Sequence, residues 1–189
     1  MAPSDSVPGV HVVLIAPEIA TNTGNIIRLC ANSGTTLHLV EPLGFSLADR
    51  HLRRAGLDYH ELAVVQRHAD LERCLGQIGV AAERTFALSG RAERAYDAVA
   101  FRPGDVVVFG AERAGLAPAV LERFAASRRL RIPMQPGNRS LNLAKAVAGV
   151  VYEAWRQQGF RGAGGSEGDV GRGGTLAEST SCEPFDGDV

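Results

Sequence analysis

The sequence predicts an α/β fold in which a parallel sheet is covered by helices on both faces. Short apolar runs rich in β-branched residues recur along the chain, and they are continuous rather than alternating, as in strands buried on both sides. Helical patterns lie between these runs, so strand and helix alternate throughout. With 189 residues, 45% of them hydrophobic, the chain has enough material for one domain of ordinary size.

Six runs are predicted as strands and five segments as helices. The strands are 10–16 (VHVVLIA), 36–41 (TLHLVE), 62–66 (LAVVQ), 85–89 (TFALS), 105–110 (DVVVFG) and 130–134 (LRIPM). The helices are 24–33, 46–55, 69–78, 117–125 and 140–158. A glycine follows four of these helices, and glycine readily adopts the left-handed conformation that ends a helix. Pro118 fits the first turn of the helix over 117–125. The last helix is the strongest, with apolar residues at i, i+4, i+7, i+8 and i+11 from Leu143.

Polar clusters follow three of the predicted strands. They are PEIATNTGN after the first, GAERAGLA (110–117) after the fifth and PMQPGNRSLN (133–142) after the sixth. Sheets of this kind bind ligands outside the carboxyl ends of their strands, so these clusters predict the site. No GxGxxG or GxxxxGK[ST] motif is present, which disfavours a dinucleotide-type Rossmann site and a P-loop.

Charge and composition divide the chain into unequal parts. The net charge is −1, but residues 161–189 carry two basic against six acidic groups and eight of the 22 glycines. We therefore expect a flexible N-terminus over 1–9, one domain over 10–160 and a disordered acidic tail over 161–189. No apolar run is long enough to span a membrane and no signal peptide is apparent, so we expect a cytoplasmic protein. The three cysteines and five histidines show no ligand spacing, which predicts no metal.

Three stretches together resemble the motifs of the SPOUT RNA methyltransferases. They are NTGNIIRLCANSG, FGAERAGL and RIPMQPGNRSLNLAKAVAGVVYEAW, and the resemblance runs from about Val10 to Phe160. The segment LRRAGLDYHE (52–61) makes the chain most similar to the small single-domain TrmL or YibK subfamily. That subfamily methylates the ribose 2′-hydroxyl at the wobble nucleotide of tRNA.

The resemblance implies a C-terminal trefoil knot, a homodimer built on the first and last helices, and S-adenosylmethionine as cofactor. Leu88, Gly110, Ile132 and Ser140 stand at the positions that match the cofactor-binding loops. Because that pocket is built largely from backbone groups, no short cofactor fingerprint is expected. We expect a bulky side chain at Gly110 to abolish cofactor binding and to leave the fold intact.

Arg28 is the first candidate for the reacting side of the site. A guanidinium holds its proton too firmly to serve as an ordinary general base, so we expect Arg28 to clamp phosphate and orient the ribose hydroxyl. The alternative interpretation of Arg28 is a surface arginine whose aliphatic stem lies along a helix face. Asn22 and Asn25 lie beside the predicted helix start; Asn25 is assigned to catalysis, and Asn22 to substrate binding or helix capping.

The remaining candidates come from the two later motifs. Glu112 is expected to hydrogen-bond a neighbouring loop or to balance positive charge near the sulfonium. Ser140 and Asn142 are expected to line the catalytic site; the alternative is that Asn138 or Ser140 caps the last helix. Arg139 is assigned to phosphate. Tyr152 is assigned to substrate, although it and Trp155 also suit core or dimer packing.

Other functions remain open at this point. Within the same class, the chain could methylate ribose at another tRNA position or in ribosomal RNA. From other classes, it could be an RNA-binding member of the fold without activity, or a nucleotide-binding α/β protein. The presence of Arg28, Glu112 and Ser140 argues against an inactive member.

Overall fold

The fold is organised around a central sheet in which every strand pairing is parallel. The computed structural model describes residues 9–46, 65–138 and 141–164. Within these ranges the strands are β1 Val10–Ile15, β2 Thr36–Val40, β3 Val65–His68, β4 Thr85–Leu88, β5 Arg94–Ala95, β6 Asp105–Phe109 and β7 Arg129–Arg131. Their spatial order is β3-β2-β1-β6-β4-β7-β5. The predicted α/β class with a parallel sheet is confirmed.

Helices cover both faces of this sheet. They are α1 Ala20–Ser33, α2 Leu71–Ile78, α3 Pro118–Leu121 and α4 Leu143–Gln157, with short 3₁₀ turns at Ala82–Arg84, Tyr96–Ala98 and Ala126–Arg128. Along β1, Val12 and Leu14 pack in the core beneath α1 and α4, whereas Val13 packs in the core beneath α2 and α3. Strands buried on both faces need apolar residues at every position, which explains the continuous runs in the sequence.

The ends of two helices follow from local chemistry. Gly34 ends α1 in the left-handed conformation (φ 66°) and donates its N–H to the carbonyl of Cys30. Gly79 ends α2 in the same way, with φ 71°. Asp70 caps the start of α2, where its carboxylate accepts from the N–H of Arg73 at 2.8 Å.

Some predicted bounds differ from the observed ones. Helix α1 begins at Ala20, four residues before the predicted start, because its N-terminus is satisfied by a distant side chain described below. Helix α3 ends after one turn at Leu121, since the chain must turn back to place Phe124 in the core and to enter β7. The two-residue strand β5 was not predicted because it is too short to show a pattern.

Several predictions fall outside the described residues. These are the helix over 46–55 beyond Ser46, the motif at 52–61, the start of the third strand at 62–64, the N-terminus before Gly9 and the tail beyond 164. The trefoil knot and the domain bounds also stay predictions. Among the described residues, no helix is long and apolar enough to cross a membrane.

The strand order brings the polar clusters together. Strand β1 lies beside β6, β6 lies beside β4, and β4 lies beside β7. Since parallel strands end at the same edge, the loops that follow β1, β4, β6 and β7 meet at one end of the sheet. This edge is where the functional site is built.

Candidate functional site

A cavity opens where the loops after β4, β6 and β7 meet the start of α4. We call it the loop cavity; its volume is about 680 Å³ including the open mouth. It is lined by Leu88, Ser89, Gly90, Phe109, Gly110, Ala111, Glu112, Gly115, Ile132, Met134, Leu141, Leu143 and Ala146. Three of the four residues predicted to bind the cofactor, Leu88, Gly110 and Ile132, therefore lie together.

The fourth predicted cofactor residue, Ser140, lies outside the described residues, as does Arg139. Leu141, the next described residue, lines the loop cavity. The roles assigned to Ser140 and Arg139 stay predictions.

Gly110 is required by its own loop rather than by a ligand. A Cβ atom at this position would lie 2.0 Å from the backbone carbonyl carbon of Gly115 and 2.2 Å from the N of Leu116. Real Cβ atoms do not approach backbone so closely, so the 110–116 loop must shift if a side chain is added. The expected consequence for the structure is therefore corrected in one respect: a side chain at Gly110 displaces the 110–116 loop, because the close approach is within the protein.

The loop cavity is mainly apolar and suits a ligand with a flat apolar part. Met134 and Leu141 are large hydrophobic residues that remain 39% and 44% exposed beside it. A ligand in the cavity would cover these side chains, while backbone groups near Gly110 and Ser89 supply polar contacts. The size and lining fit an adenosine-containing cofactor.

Glu112 forms hydrogen bonds to the loop that precedes α1. Its carboxylate accepts from the N–H of Glu18 at 2.7 Å, the N–H of Ile19 at 3.2 Å and the side-chain amide of Asn22 at 3.1 Å. A carboxylate at the N-terminus of a helix also interacts favourably with the helix dipole. Of the two roles considered for Glu112, these contacts fit the first, bonding to a neighbouring loop.

Asn22 continues the chain of hydrogen bonds toward α4. Its side-chain oxygen accepts from the side-chain amide of Asn142 at 3.0 Å, and the Asn142 oxygen accepts from the N–H of Lys145 at 3.3 Å. We call Glu112, Asn22 and Asn142 the polar bridge. It joins all three of the motifs that carried the resemblance.

The polar bridge corrects two capping interpretations. Asn22 does not cap α1: the N-cap position is Ile19, and Asn22 lies inside the helix with 7% of its surface exposed. Asn142, rather than Asn138 or Ser140, caps α4. The Glu112 carboxylate binds the amides of Glu18 and Ile19 just before α1, so these two amides do not face an RNA phosphate.

A second depression lies between α1 and α4, on the other side of the polar bridge. We call it the helix groove; it is lined by Asn22, Asn25, Arg28, Leu29, Asn32, Asn142, Ala144, Lys145 and Ala148. Arg28 and Asn25 lie one turn apart, and both are exposed. The lining carries two cationic groups and no carboxylate, so the groove favours an anion. Arg28 and Asn25 thus lie together, but neither lines the loop cavity.

Tyr152 lies further along α4, on an exposed strip. Lys145, Gly149 and Tyr152 follow one another at helical spacing and are all exposed. The Tyr152 ring lies 5.7 Å from that of Trp155, which in turn contacts Phe160 edge-on at 5.4 Å. Tyr152 is 48% exposed and Phe160 44%, so this aromatic cluster is only partly covered.

Some contributors to the site escaped the sequence analysis. Met134 and Leu141 line the loop cavity, and the amides of Glu18 and Ile19 bind Glu112. Met134 and Leu141 flank the GNRS segment, so their sequence positions could have indicated that they line the site. The amide contacts had no local signal, because Glu112 lies more than 90 residues away in sequence.

Comparison with known proteins assigns the chain to a family. The model of the SpoU rRNA Methylase family matches residues 9–152. A protein of Burkholderia pseudomallei (strain 1106a), named tRNA (cytidine(34)-2'-O)-methyltransferase, is 56% identical over 152 residues, which cover 80% of this chain and 97% of that protein.

Solved structures share the fold. One, described as "Structural insights into the 2-OH methylation of C/U34 on tRNA", has a TM-score of 0.71 and 43% identity, covering 79% of this chain and 91% of that one. An AdoMet-bound rRNA methyltransferase from Sinorhizobium meliloti has a TM-score of 0.67 and 27% identity, covering 78% of this chain and 56% of that one.

Proposed function

The chain belongs to the SpoU rRNA Methylase family, and from this premise we propose that it methylates the ribose 2′-hydroxyl of the wobble nucleotide of tRNA. The observation that carries the proposal is the 56% identity, across nearly the whole length of the relative, to a protein named for that reaction. We place the protein in the cytoplasm, where tRNA is available for modification.

We propose that S-adenosylmethionine binds in the loop cavity. Leu88, Ile132 and Leu141 present apolar surface to the adenosine, and the 110–116 loop presents backbone groups. When bound, the cofactor supplies an electrophilic methyl group on a sulfonium. Apolar walls exclude water and so leave few competing nucleophiles near that methyl group.

The helix groove is proposed to hold the RNA. The guanidinium of Arg28 has the planar fork that binds a phosphate through two parallel hydrogen bonds, and Lys145 adds a second positive charge. Asn25, one turn before Arg28, can hydrogen-bond the ribose. Fixing the ribose in this way supports methyl transfer by positioning, which can supply several kcal/mol, up to ~7–11 in ideal cases.

We propose that the polar bridge fixes the position of the loop cavity relative to the helix groove. Glu112 faces the loop cavity, Asn22 and Asn142 face the helix groove, and the three side chains are hydrogen-bonded in series. Asn22 therefore acts mainly as a positioning residue, since both ends of its amide are occupied. Asn142 both caps α4 and fixes Asn22.

We propose that the protein works as a homodimer through α1 and α4. Within one chain Arg28 lines the helix groove and not the loop cavity, so a second copy is needed to bring an Arg28 to each cofactor. The exposed strip of α4 includes Gly149, where an added Cβ would meet nothing within 4 Å, and so allows a close neighbour. Tyr152, at the end of this strip, would then contact the partner or its RNA.

Sedimentation of the purified protein at micromolar concentration tests the dimer. We expect a single species at twice the chain mass. Exposed Tyr152→Arg should shift the protein toward monomer and lower methylation together, whereas Arg73→Ala, on the exposed surface of α2, should change neither. A monomer with full activity would refute the dimer.

The reaction itself is tested by mapping ribose methylation in tRNA. Mass spectrometry of tRNA from cells with and without the protein should show loss of one methyl group at the wobble nucleotide. Purified protein with labelled S-adenosylmethionine should restore it. Loss at another tRNA position or in ribosomal RNA would instead support the corresponding alternative, and no loss with no transfer would support an inactive RNA-binding member.

A further inference from the structure

Three histidines form a hydrogen-bonded line across the sheet, on the face covered by α2. His11 Nδ1 lies 3.0 Å from His38 Nε2, and His38 Nδ1 lies 2.9 Å from His68 Nε2. They belong to the adjacent strands β1, β2 and β3. In the strand register, His11 is paired with Thr36, which lies two residues before His38. In the same way, His38 is paired with Gln66, which lies two residues before His68.

A cysteine of α2 completes the cluster. One ligand atom from each of His38, His68 and Cys74 lies within 4.8 Å of the others. These side chains are 1%, 5% and 0% exposed, respectively. Neither the loop cavity nor the helix groove includes any of them, so the proposed methyl transfer leaves the cluster without a role.

Burial disfavours the charged forms of the three histidines. Burial, reinforced by the neighbouring histidines, lowers the pKa of His38 to about 3, and burial raises the pKa of the Cys74 thiol to about 12. A neutral imidazole has a lone pair on one ring nitrogen. Nδ1 of His38 and Nε2 of His68 share a hydrogen bond, which a metal ion bound to both would replace. Two imidazoles and a thiol that converge in a buried place form a ligand set of the kind that binds zinc.

We propose that His38, His68 and Cys74 form a zinc site, with His11 as the partner that orients His38. Zinc takes nitrogen ligands at ~2.0–2.1 Å and sulfur at ~2.3 Å in a tetrahedron, which needs ligand atoms about 3.3–3.6 Å apart. The two imidazoles must therefore separate by a few tenths of an ångström, and the sulfur must move closer by rotation of Cys74.

The protons balance in this arrangement. Cys74 releases its thiol proton to solvent and binds the metal as thiolate. His38 would bind through Nδ1 and carry its proton on Nε2, which donates to His11 Nδ1. His68 would bind through Nε2, and the proton that this nitrogen shares with His38 Nδ1 would move to Nδ1 of His68, so each imidazole stays neutral with one proton. A ligating histidine normally donates its other N–H to such a partner, which fixes its tautomer. A water molecule would be the fourth ligand, and because His38, His68 and Cys74 are buried, space for it must open when the metal binds.

The site would join the edge of the sheet to α2. Its ligands come from β2, β3 and α2, which are otherwise held by apolar packing of Leu71, Cys74 and Val40. Metal binding to the folded protein adds its binding free energy to stability. The inference adds a structural ion to the protein and does not depend on its methyl transfer.

Cobalt(II) serves as the spectroscopic probe. Full-length protein freed of metal with a chelator is titrated with Co²⁺, and zinc affinity is then measured by competition with a chromophoric chelator. We expect one equivalent per chain, a thiolate-to-cobalt band in the near ultraviolet, and a rise in melting temperature with zinc.

Matched cysteine variants identify the ligand. Cys74→Ser should remove the thiolate band and weaken zinc binding at least tenfold. Cys30→Ser, which alters a buried thiol of α1 on the other face of the sheet, and Cys182→Ser should keep both. To separate loss of metal from loss of folding, Cys74→Ala is tested beside Cys74→Ser and circular dichroism of the metal-free forms is compared. His11→Ala should keep the band but weaken zinc binding by about 10–100-fold.

The outcomes are decisive in both directions. A thiolate band that depends on Cys74 alone, with one equivalent bound, supports the site. A protein that binds no cobalt or zinc, or a band that survives Cys74→Ser or disappears with Cys182→Ser, overturns it.

Discussion

The loop cavity and the helix groove lie on either side of the polar bridge and differ in how they are built. The cavity consists of loops, apolar side chains and backbone, and its properties depend on shape. The groove lies between two helices and carries Arg28 and Lys145, so its properties depend on charge. One region thus suits a compact, partly apolar cofactor, and the other suits a polyanion. Substitutions in the two regions should therefore differ in their effects on cofactor affinity and on tRNA methylation.

The largest effect is expected for Arg28→Ala. The change removes a cation and a phosphate-binding fork from the helix groove but leaves the loop cavity unaltered. Transfer of labelled methyl to tRNA should fall by about 10²-fold or more, since small errors of positioning have effects of that size. The affinity for S-adenosylmethionine, measured by calorimetry, should change little.

Two further variants sharpen this result. Arg28→Lys keeps the charge but loses the fork, and we expect it to be severely impaired as well. Arg73→Ala, an exposed arginine on α2, should behave as the unaltered protein does. Near-normal turnover of Arg28→Ala would return Arg28 to the status of a surface arginine and make Arg139 the leading candidate.

Gly110→Val tests the opposite region. The new side chain would collide with the backbone at Gly115, so the 110–116 loop must move and the loop cavity must change shape. Calorimetry should show at least a tenfold loss of cofactor affinity, and unfolding should become easier by about 1–3 kcal/mol.

The control for Gly110 is Gly76→Ala in α2. An added Cβ there meets nothing within 4 Å, and alanine favours a helix by ~0.5–1 kcal/mol, so stability should rise and cofactor affinity should stay constant. Normal cofactor binding by Gly110→Val would mean that the cofactor binds elsewhere.

Glu112→Ala should affect both regions moderately. The change leaves the N–H groups of Glu18 and Ile19 and the amide of Asn22 without their acceptor, at a cost of about 1–3 kcal/mol in unfolding free energy. Cofactor affinity and tRNA methylation should both fall, by roughly tenfold each. The exposed carboxylate of Glu122, changed to Gln, provides the control. If only one of the two activities fell, the polar bridge would not couple the regions.

The smallest effect is expected for Lys145→Gln. Lys145 is the only lysine in the chain and lines the helix groove beside the polar bridge. Loss of one phosphate contact should weaken tRNA binding a few-fold and reduce the slope of log affinity against log salt by about 0.7–0.9. Cofactor affinity should not change. An unaltered salt slope would place the RNA outside the helix groove.

The sequence was sufficient for the features that depend on neighbouring residues. Continuous apolar runs identified β1, β2, β4 and β6, which are largely buried, since burial on both faces favours apolar residues. The third and sixth predicted runs only overlap β3 and β7, which carry exposed residues. Glycines marked the ends of α1 and α2 because the left-handed conformation is cheap only for that residue. The motif match also located Leu88, Gly110 and Ile132, which do line one cavity.

Only the tertiary structure decided which of these pieces meet. The start of α1 was misplaced because its N-terminus is satisfied by Glu112, whose position depends on β6 lying beside β1. The backbone contact that leaves no space for a side chain at Gly110, and the proximity of His38 to Cys74, also depend on which segments the fold brings together. A local pattern reports periodicity and backbone preference over a few residues. Contacts between residues 36 or 93 positions apart depend on the order of strands in the sheet, which no local pattern contains.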